Sequence, residues 1–248
     1  MSNRTANLIP LPEATMAEWV RPLIVEFIGT FALIFMGAGS IMIGGSLTTV
    51  GFAHGLAIGL MIAAGGHISG GLFNPAVTLG LLVGQKIKPD KAAAYVIVQL
   101  LGAVVAALCL RALLPAELRD PSHLGTPAVG AGIKSGAALG IEIVLTFFLM
   151  YVIYGTAVDK RGAAIIAPLA IGLMITTDIF ALGPTTGAAM NPARWFGPAL
   201  VDGFWDDSWI YIVGPAIGAT IAAIVYAYIL IPSSQEPPPE EPDRLVQP

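Results

Sequence analysis

Six apolar runs fall into two sets of three, and each set is broken once by the same short box, at Asn74-Pro75-Ala76 and again at Asn191-Pro192-Ala193. The boxes stand at an offset of 117 (191 − 74), and Glu26-Phe27-Ile28-Gly29-Thr30 recurs as Glu142-Ile143-Val144-Leu145-Thr146 at an offset of 116 (142 − 26). One unit is used twice. Because each unit has an odd number of crossings, the second copy must enter a membrane upside down relative to the first, so that the boxes approach each other from opposite faces. The expected fold is therefore an all-α membrane protein of six transmembrane helices and two re-entrant half-helices in an inverted 3+3 repeat.

The medium follows from composition. Hydrophobic residues make up 56% of the chain and charged residues 11%, against about 25% charged in soluble domains. The spans are expected at about Pro22 to Ile43, Val50 to Gly65, Ala92 to Leu114, Gly136 to Val158, Ala163 to Leu182 and Trp209 to Ile231, each long enough to cross a hydrocarbon core. Gly51, Gly55 and Gly59 form a stripe in the second span that lets helices approach closely. Residues 1–20 read as a cytoplasmic lead-in too polar for a cleaved signal, 21–231 as the functional domain (repeat 1 about 21–114, repeat 2 about 134–231), and 232–248 as a disordered acidic tail. The Pro- and Gly-containing segment 115–132 reads as a structured surface crossing between the halves.

Each box starts a helix. Asn is a good N-cap, and Pro suits the first helical position, where no N–H is needed. Half-helices are expected from Asn74 to about Val83 and within the segment Gly183 to Leu200, preceded in the first copy by an irregular stretch, His67 to Phe73. With its side-chain oxygen used as the cap, each Asn is expected to offer a free NH2 beyond the positive helix end. Two such ends would make a polar waist.

The remaining chemistry is sparse. Cys109 is the one cysteine, no His/Cys cluster has metal-ligand spacing, and no nucleophile, base and oxyanion set is present, so neither an enzyme nor a cofactor is expected. Net charge is −4 and gives no reason for a nucleic-acid partner. With the N-terminus inside, the inner side carries Arg4, Arg21, Lys86, Lys88, Lys91, Lys160, Arg161 and Arg244 and the outer side Arg111, Arg119, Lys134 and Arg194. This excess places both termini in the cytoplasm.

Paired Asn-Pro-Ala boxes, paired Glu-x-x-x-Thr motifs and six spans together resemble the aquaporin, or major intrinsic protein, family over residues 20–231. The resemblance implies a pore within each subunit, a homotetramer in the lipid bilayer, and passage of water or small neutral solutes with exclusion of protons and ions. It also implies a selectivity filter at His54, Ile179, Ala188 and Arg194, a set most like that of plant tonoplast intrinsic proteins, for which ammonia, urea, hydrogen peroxide or glycerol join water as candidate solutes. Trp195 follows the filter arginine where neither the water-type nor the glycerol-type subgroup has it, and Asp178 stands where the tonoplast group often has Asn. Glu26 and Glu142 are expected to accept hydrogen bonds from the irregular stretches, whose N–H groups need partners inside a bilayer. His67 is expected to pack a loop at the inner mouth, while His123 and Cys109 receive no role. The rival class is a secondary transporter, since broken helices and inverted repeats occur there too. The membrane is expected to be a plasma membrane or a bacterial inner membrane.

Overall fold

The computed structural model describes residues 16–231, so the tail expected over 232–248 and most of the lead-in expected over 1–20 lie outside the described residues. The principal helices are α1 (Arg21–Met42), α2 (Leu47–Ser69), the short α3 (Pro75–Val83), α4 (Pro89–Leu113), α5 (Ser135–Ile153), α6 (Ala167–Thr186), the short α7 (Pro192–Asp202) and α8 (Ile210–Val225). With their flanking turns, six of them are long and apolar enough to cross a membrane. This is the architecture expected from the repeat.

Helix ends differ from the sequence reading in instructive ways. α2 begins at Leu47 because Ser46 caps it, its hydroxyl oxygen accepting from the Thr49 N–H at 3.2 Å. It then runs past Gly65 and Gly66 and stops only at Gly70, whose φ of 99° ends the helix in the left-handed region. His67 therefore lies on the last helical turn, not in an irregular stretch. α6 likewise continues through Pro184 to Thr186 and ends at Gly187 with φ 81°. A proline is tolerated in a membrane helix where neighbours take up the freed carbonyl.

The two halves pack as symmetry mates. α1 lies on α2 and α4 as α5 lies on α6 and α8, and α2 meets α6 across the middle. At that crossing a Cβ added to Gly55 would strike the Gly172 carbonyl, and one added to Gly172 would strike the Gly55 carbonyl. The pseudo-twofold axis passes between these residues, which are 117 apart (172 − 55) like the boxes. Lipid tails are as apolar as leucine, so close backbone approach, not burial of apolar area, drives such packing. The outward faces carry exposed Ile24, Leu60, Leu101, Leu169, Ile212 and Ile221.

Segment 115–132 is more than a surface crossing. After a helical turn at Ala116–Arg119, the chain takes left-handed φ values at His123 (48°) and Leu124 (53°) and drops Leu124 and Gly125 into the bundle. A Cβ on Gly125 would lie 2.9 Å from the Cβ of Ala38, so only glycine lets the loop descend this far. Its rim is tied down by His123, which stacks on Phe204 at 4.1 Å and meets Asp202 through Nδ1 at 3.0 Å.

At the opposite end, the Arg161 guanidinium donates to the Asp159 carboxylate at 2.6 Å and to the Leu230 carbonyl at 2.8 Å. The hydrogen bonding of Arg161 to Asp159 holds that carboxyl below its ordinary range. The link is thus complete at neutral pH and is lost only as pH falls through that lowered value.

Candidate functional site

α3 and α7 point their N-termini at each other in the middle of the bundle. Asn74 Oδ1 accepts from the Ala76 and Val77 N–H groups at 2.8 and 3.4 Å, and Asn191 Oδ1 accepts from those of Ala193 and Arg194 at 2.9 and 3.3 Å. Pro75 and Pro192 occupy the first helical positions, and Ala76 and Ala193 are buried behind them. The amide groups are not wholly free, however. Asn74 Nδ2 donates to the Met190 carbonyl at 2.8 Å and Asn191 Nδ2 to the Phe73 carbonyl at 2.9 Å. Each box is latched to the loop of the other, leaving one N–H per amide for anything in the cavity.

This latch depends on local backbone conformation. Phe73 and Met190, one residue before each Asn, hold φ values of 50° and 51°, a region costly for residues with a Cβ. Two residues earlier Gly71 has φ 67°, and its partner in the second half is Ala188 at φ 44°. Ala188 therefore carries strain that the glycine of repeat 1 avoids.

Buried carboxylates hold both stretches in shape. Glu26 Oε1 accepts from the Ser69 hydroxyl at 2.7 Å and the Leu72 N–H at 2.9 Å, while Oε2 accepts from the Phe73 N–H at 2.7 Å and Gln99 Nε2 at 2.8 Å. Glu142 Oε1 accepts from the Thr186 hydroxyl at 2.7 Å and the Ala189 N–H at 2.9 Å, and Oε2 from the Met190 N–H at 2.8 Å. Tyr95 and Tyr211 complete each set by donating to the Ser69 and Thr186 carbonyls at 2.8 and 3.0 Å. Non-helical backbone is viable at membrane depth only when its polar groups are satisfied in this way.

A cavity of about 350 Å³ runs past both boxes. Aliphatic side chains line it, among them Leu33, Ile58, Ile62, Val77, Leu149, Ile153, Ile171 and Ile175, with the stretches Gly70–Leu72 and Ala188–Met190 and the two Asn side chains supplying polarity. Lys86, Ala157 and Val158 lie on its lining at one end.

His54, Ile179, Ala188 and Arg194, carried over as a filter, are all on the lining of this cavity and all buried. Arg194 Nη1 donates to the Gly125 carbonyl at 2.8 Å, while its Nε is buried with no partner among the described residues. His54 Nδ1 lies 2.8 Å from the Val50 carbonyl. Since a carbonyl can only accept, Nδ1 carries the proton and Nε2, which has no protein partner, presents a lone pair. The ring fits because Gly37 faces it, where a Cβ would collide with the imidazole.

Other candidates fall elsewhere. His67 is exposed, is not on the cavity lining, and lies on the last turn of α2 and not in a loop. Asp178 is buried with Oδ2 unpartnered, beside Ile179 on α6 but not on the cavity lining. Trp195 is buried behind the lining. Sequence reasoning missed Gly125, Gln99 and the tyrosines; the only available signal was that Tyr95 and Tyr211 share the repeat offset of 116 (211 − 95).

Comparison with known proteins agrees with this geometry. The family described as Major intrinsic protein matches residues 13–226. "Probable aquaporin TIP3-2" of Arabidopsis thaliana is 44% identical, with 91% of this chain and 90% of the relative covered, and "Aquaporin TIP4-4" of Zea mays is 42% identical, with 92% and 94% covered. The X-ray structure of the aquaglyceroporin from Plasmodium falciparum superposes with a TM-score of 0.77 at 26% identity, covering 85% of this chain and 96% of that one. The relatives also correct one expectation: they are plant TIP-type, that is tonoplast-type, aquaporins, which overturns a plasma or bacterial inner membrane. Integral, multi-pass insertion stands on the six apolar helices. With the family match spanning nearly all the described residues and the paired boxes, carboxylates and cavity in register, the chain belongs to the major intrinsic protein family.

Proposed function

We propose that this protein is a passive channel for water and small neutral solutes, with His54, Ile179, Ala188 and Arg194 as its constriction and Asn74 and Asn191 as its waist. The observation that carries the reading is one continuous cavity that passes both half-helix ends and all four constriction residues. Its aliphatic walls offer no replacement for the hydration shell of an ion, whose loss costs on the order of 20 kcal/mol in the idealised limit. The positive ends of α3 and α7 raise the barrier further for cations, hydronium included. His54 and Arg194, both on the cavity lining, are the residues that would give a neutral guest its polar contacts; His54 Nε2, an acceptor, and Arg194 Nε, a donor, have no partner among the described residues. That pairing suits water and ammonia, and the aliphatic Ile179 on the same lining leaves room for glycerol, urea or hydrogen peroxide.

The transporter reading loses support because Glu26 and Glu142 are engaged by four and three donors respectively, so neither carboxylate is open to a coupling ion. Stopped-flow light scattering on proteoliposomes tests the channel: shrinkage in a sucrose gradient should be far faster than in empty vesicles, and solute flux linear in its gradient. Accumulation driven by a proton or sodium gradient would refute it. His54→Phe should lower the ammonia-to-water permeability ratio by about tenfold, the effect of about 1.36 kcal/mol on a barrier; an unchanged ratio would remove His54 from the constriction.

Assembly as a homotetramer is part of the same proposal. Gly136 and Gly140, four residues apart on α5, have open space around them, which would let a neighbouring subunit's helix approach closely. Native mass spectrometry in mild detergent should give four copies, and a monomer under those conditions would reject the assembly.

A further inference from the structure

The hydrogen bonds around the two carboxylates match from repeat to repeat except at two positions. In repeat 1, Gln99 Nε2 donates to Glu26 Oε2 at 2.8 Å and to Thr78 Oγ1 at 3.1 Å, and Thr78 sits on the first turn of α3. A side-chain bridge thus ties half-helix to carboxylate. At the offsets of 116 and 117, the corresponding residues in repeat 2 are Pro215 and Trp195 (215 − 99; 195 − 78). Neither makes the bridge. Proline has no side-chain donor, and the indole Nε1 of Trp195 is buried without a partner.

What repeat 2 has instead is an aromatic stack. Trp195 lies parallel to Tyr211 with ring centroids 6.0 Å apart and 12° between planes, and Trp205 meets it edge-on at 5.5 Å. Tyr211 donates to the Thr186 carbonyl at 3.0 Å, at the start of the strained stretch that carries Ala188. Trp195 also shares one buried apolar cluster with Ala189 and directly follows Arg194 in the chain.

Building on the channel reading above, we infer that Trp195 is a positioning residue for solute selectivity, its indole clamping the Ala188–Arg194 segment by ring stacking where repeat 1 uses the Thr78–Gln99 bridge. Stacked aromatic pairs contribute beyond their buried area, but they fix distance through ring volume, whereas hydrogen bonds fix it through direction. The width of the constriction therefore depends on the size and flatness of residue 195, a side chain that does not touch the solute path.

The test compares full-length wild type, Trp195→Phe, Trp195→Leu, Trp195→Thr and the double variant Trp195→Thr with Pro215→Gln, reconstituted in proteoliposomes. The readout is the glycerol-to-water permeability ratio. Phe keeps a flat ring and should hold the ratio within about twofold, whereas Leu and Thr should raise it about fivefold. Adding Pro215→Gln should rebuild in repeat 2 the bridge of repeat 1, now to Glu142, and return the ratio of Trp195→Thr most of the way to wild type. An unchanged ratio in Trp195→Leu and Trp195→Thr, or no recovery in the double variant, overturns the inference; a role in bulk stability alone would lower the yield of all variants without moving the ratio. Should Trp195→Thr not fold, Trp195→Leu decides by the same criterion. Wild type without water flux would sink the channel reading itself, and the order of thermal unfolding in detergent would then still judge the clamp, which requires the double variant to be more stable than Trp195→Thr.

Discussion

Replacing Glu142 by Gln is expected to remove most of the folded channel, although the change is one of the smallest that chemistry allows. The carboxylate accepts three hydrogen bonds, two of them from the backbone of the stretch that leads to Asn191. An amide has only one accepting oxygen. Whichever way it turns, its NH2 must face the Ala189 or the Met190 N–H, donor against donor, and on the Ala189 side it can be accepted by the Thr186 hydroxyl only if that hydroxyl loses the acceptor for its own proton. A buried donor left unpaired costs about 1–3 kcal/mol, and here at least two arise. The same change at Glu26 should be milder, because Gln99 can reverse its amide and offer its oxygen to the new NH2 group. Thermal unfolding in detergent should therefore rank wild type above Glu26→Gln and Glu26→Gln above Glu142→Gln. If both variants unfold together near wild type, the carboxylates are not what holds these loops.

Arg194→Val is expected to fold and to lose selectivity. The guanidinium is buried, uses one nitrogen on the Gly125 carbonyl and leaves Nε unpartnered, so its removal takes away a desolvated charge together with a donor. Removing a poorly paired buried charge seldom costs stability when an apolar residue replaces it. What changes is the proposed constriction: the cavity loses the cationic lining residue there, and the space of a long side chain opens on the lining that also carries Ile179 and Ala188. Glycerol and urea permeability should rise roughly tenfold or more, the change that about 1.36 kcal/mol of barrier produces, with water flux altered far less. Stopped-flow ratios measured with the same vesicles check this, and ratios equal to wild type would place the narrowest point elsewhere. Planar-bilayer conductance should stay low, because the aliphatic walls and the helix ends still oppose ions.

The six spans, the two half-helix starts and the carboxylate motifs could be read from the sequence because each depends on local pattern: apolar length, Asn-Pro chemistry, and repetition at a fixed offset. Helix ends were harder. Gly65-Gly66 and Pro184 read as breaks by rules learned in water, yet α2 and α6 continue through them because a bilayer penalises an open backbone more than an imperfect helix residue. Long-range partners were invisible. Nothing near Gly125 in the sequence announces that its carbonyl meets Arg194, a contact that depends on Gly125 having no Cβ to strike Ala38. The same holds for the Asn amides, which looked free until the opposite loop supplied the Phe73 and Met190 carbonyls. His67 was read as part of a loop because the end of α2 was placed too early. The membrane was misjudged because plasma and internal bilayers ask the same things of a span, and only likeness to TIP-type relatives distinguishes them.

The reciprocal latch at the centre has a consequence for biogenesis. Asn74 bonds to a residue made 116 positions later, and Asn191 to one made 118 positions earlier, so neither bond can form within a half. A nascent chain halted after α4 would hold an amide and a carbonyl deep in hydrocarbon with no protein partner for either. Such a fragment carries a mark of its own incompleteness, and the mark disappears in one step when the second half arrives. Completion and concealment are the same event.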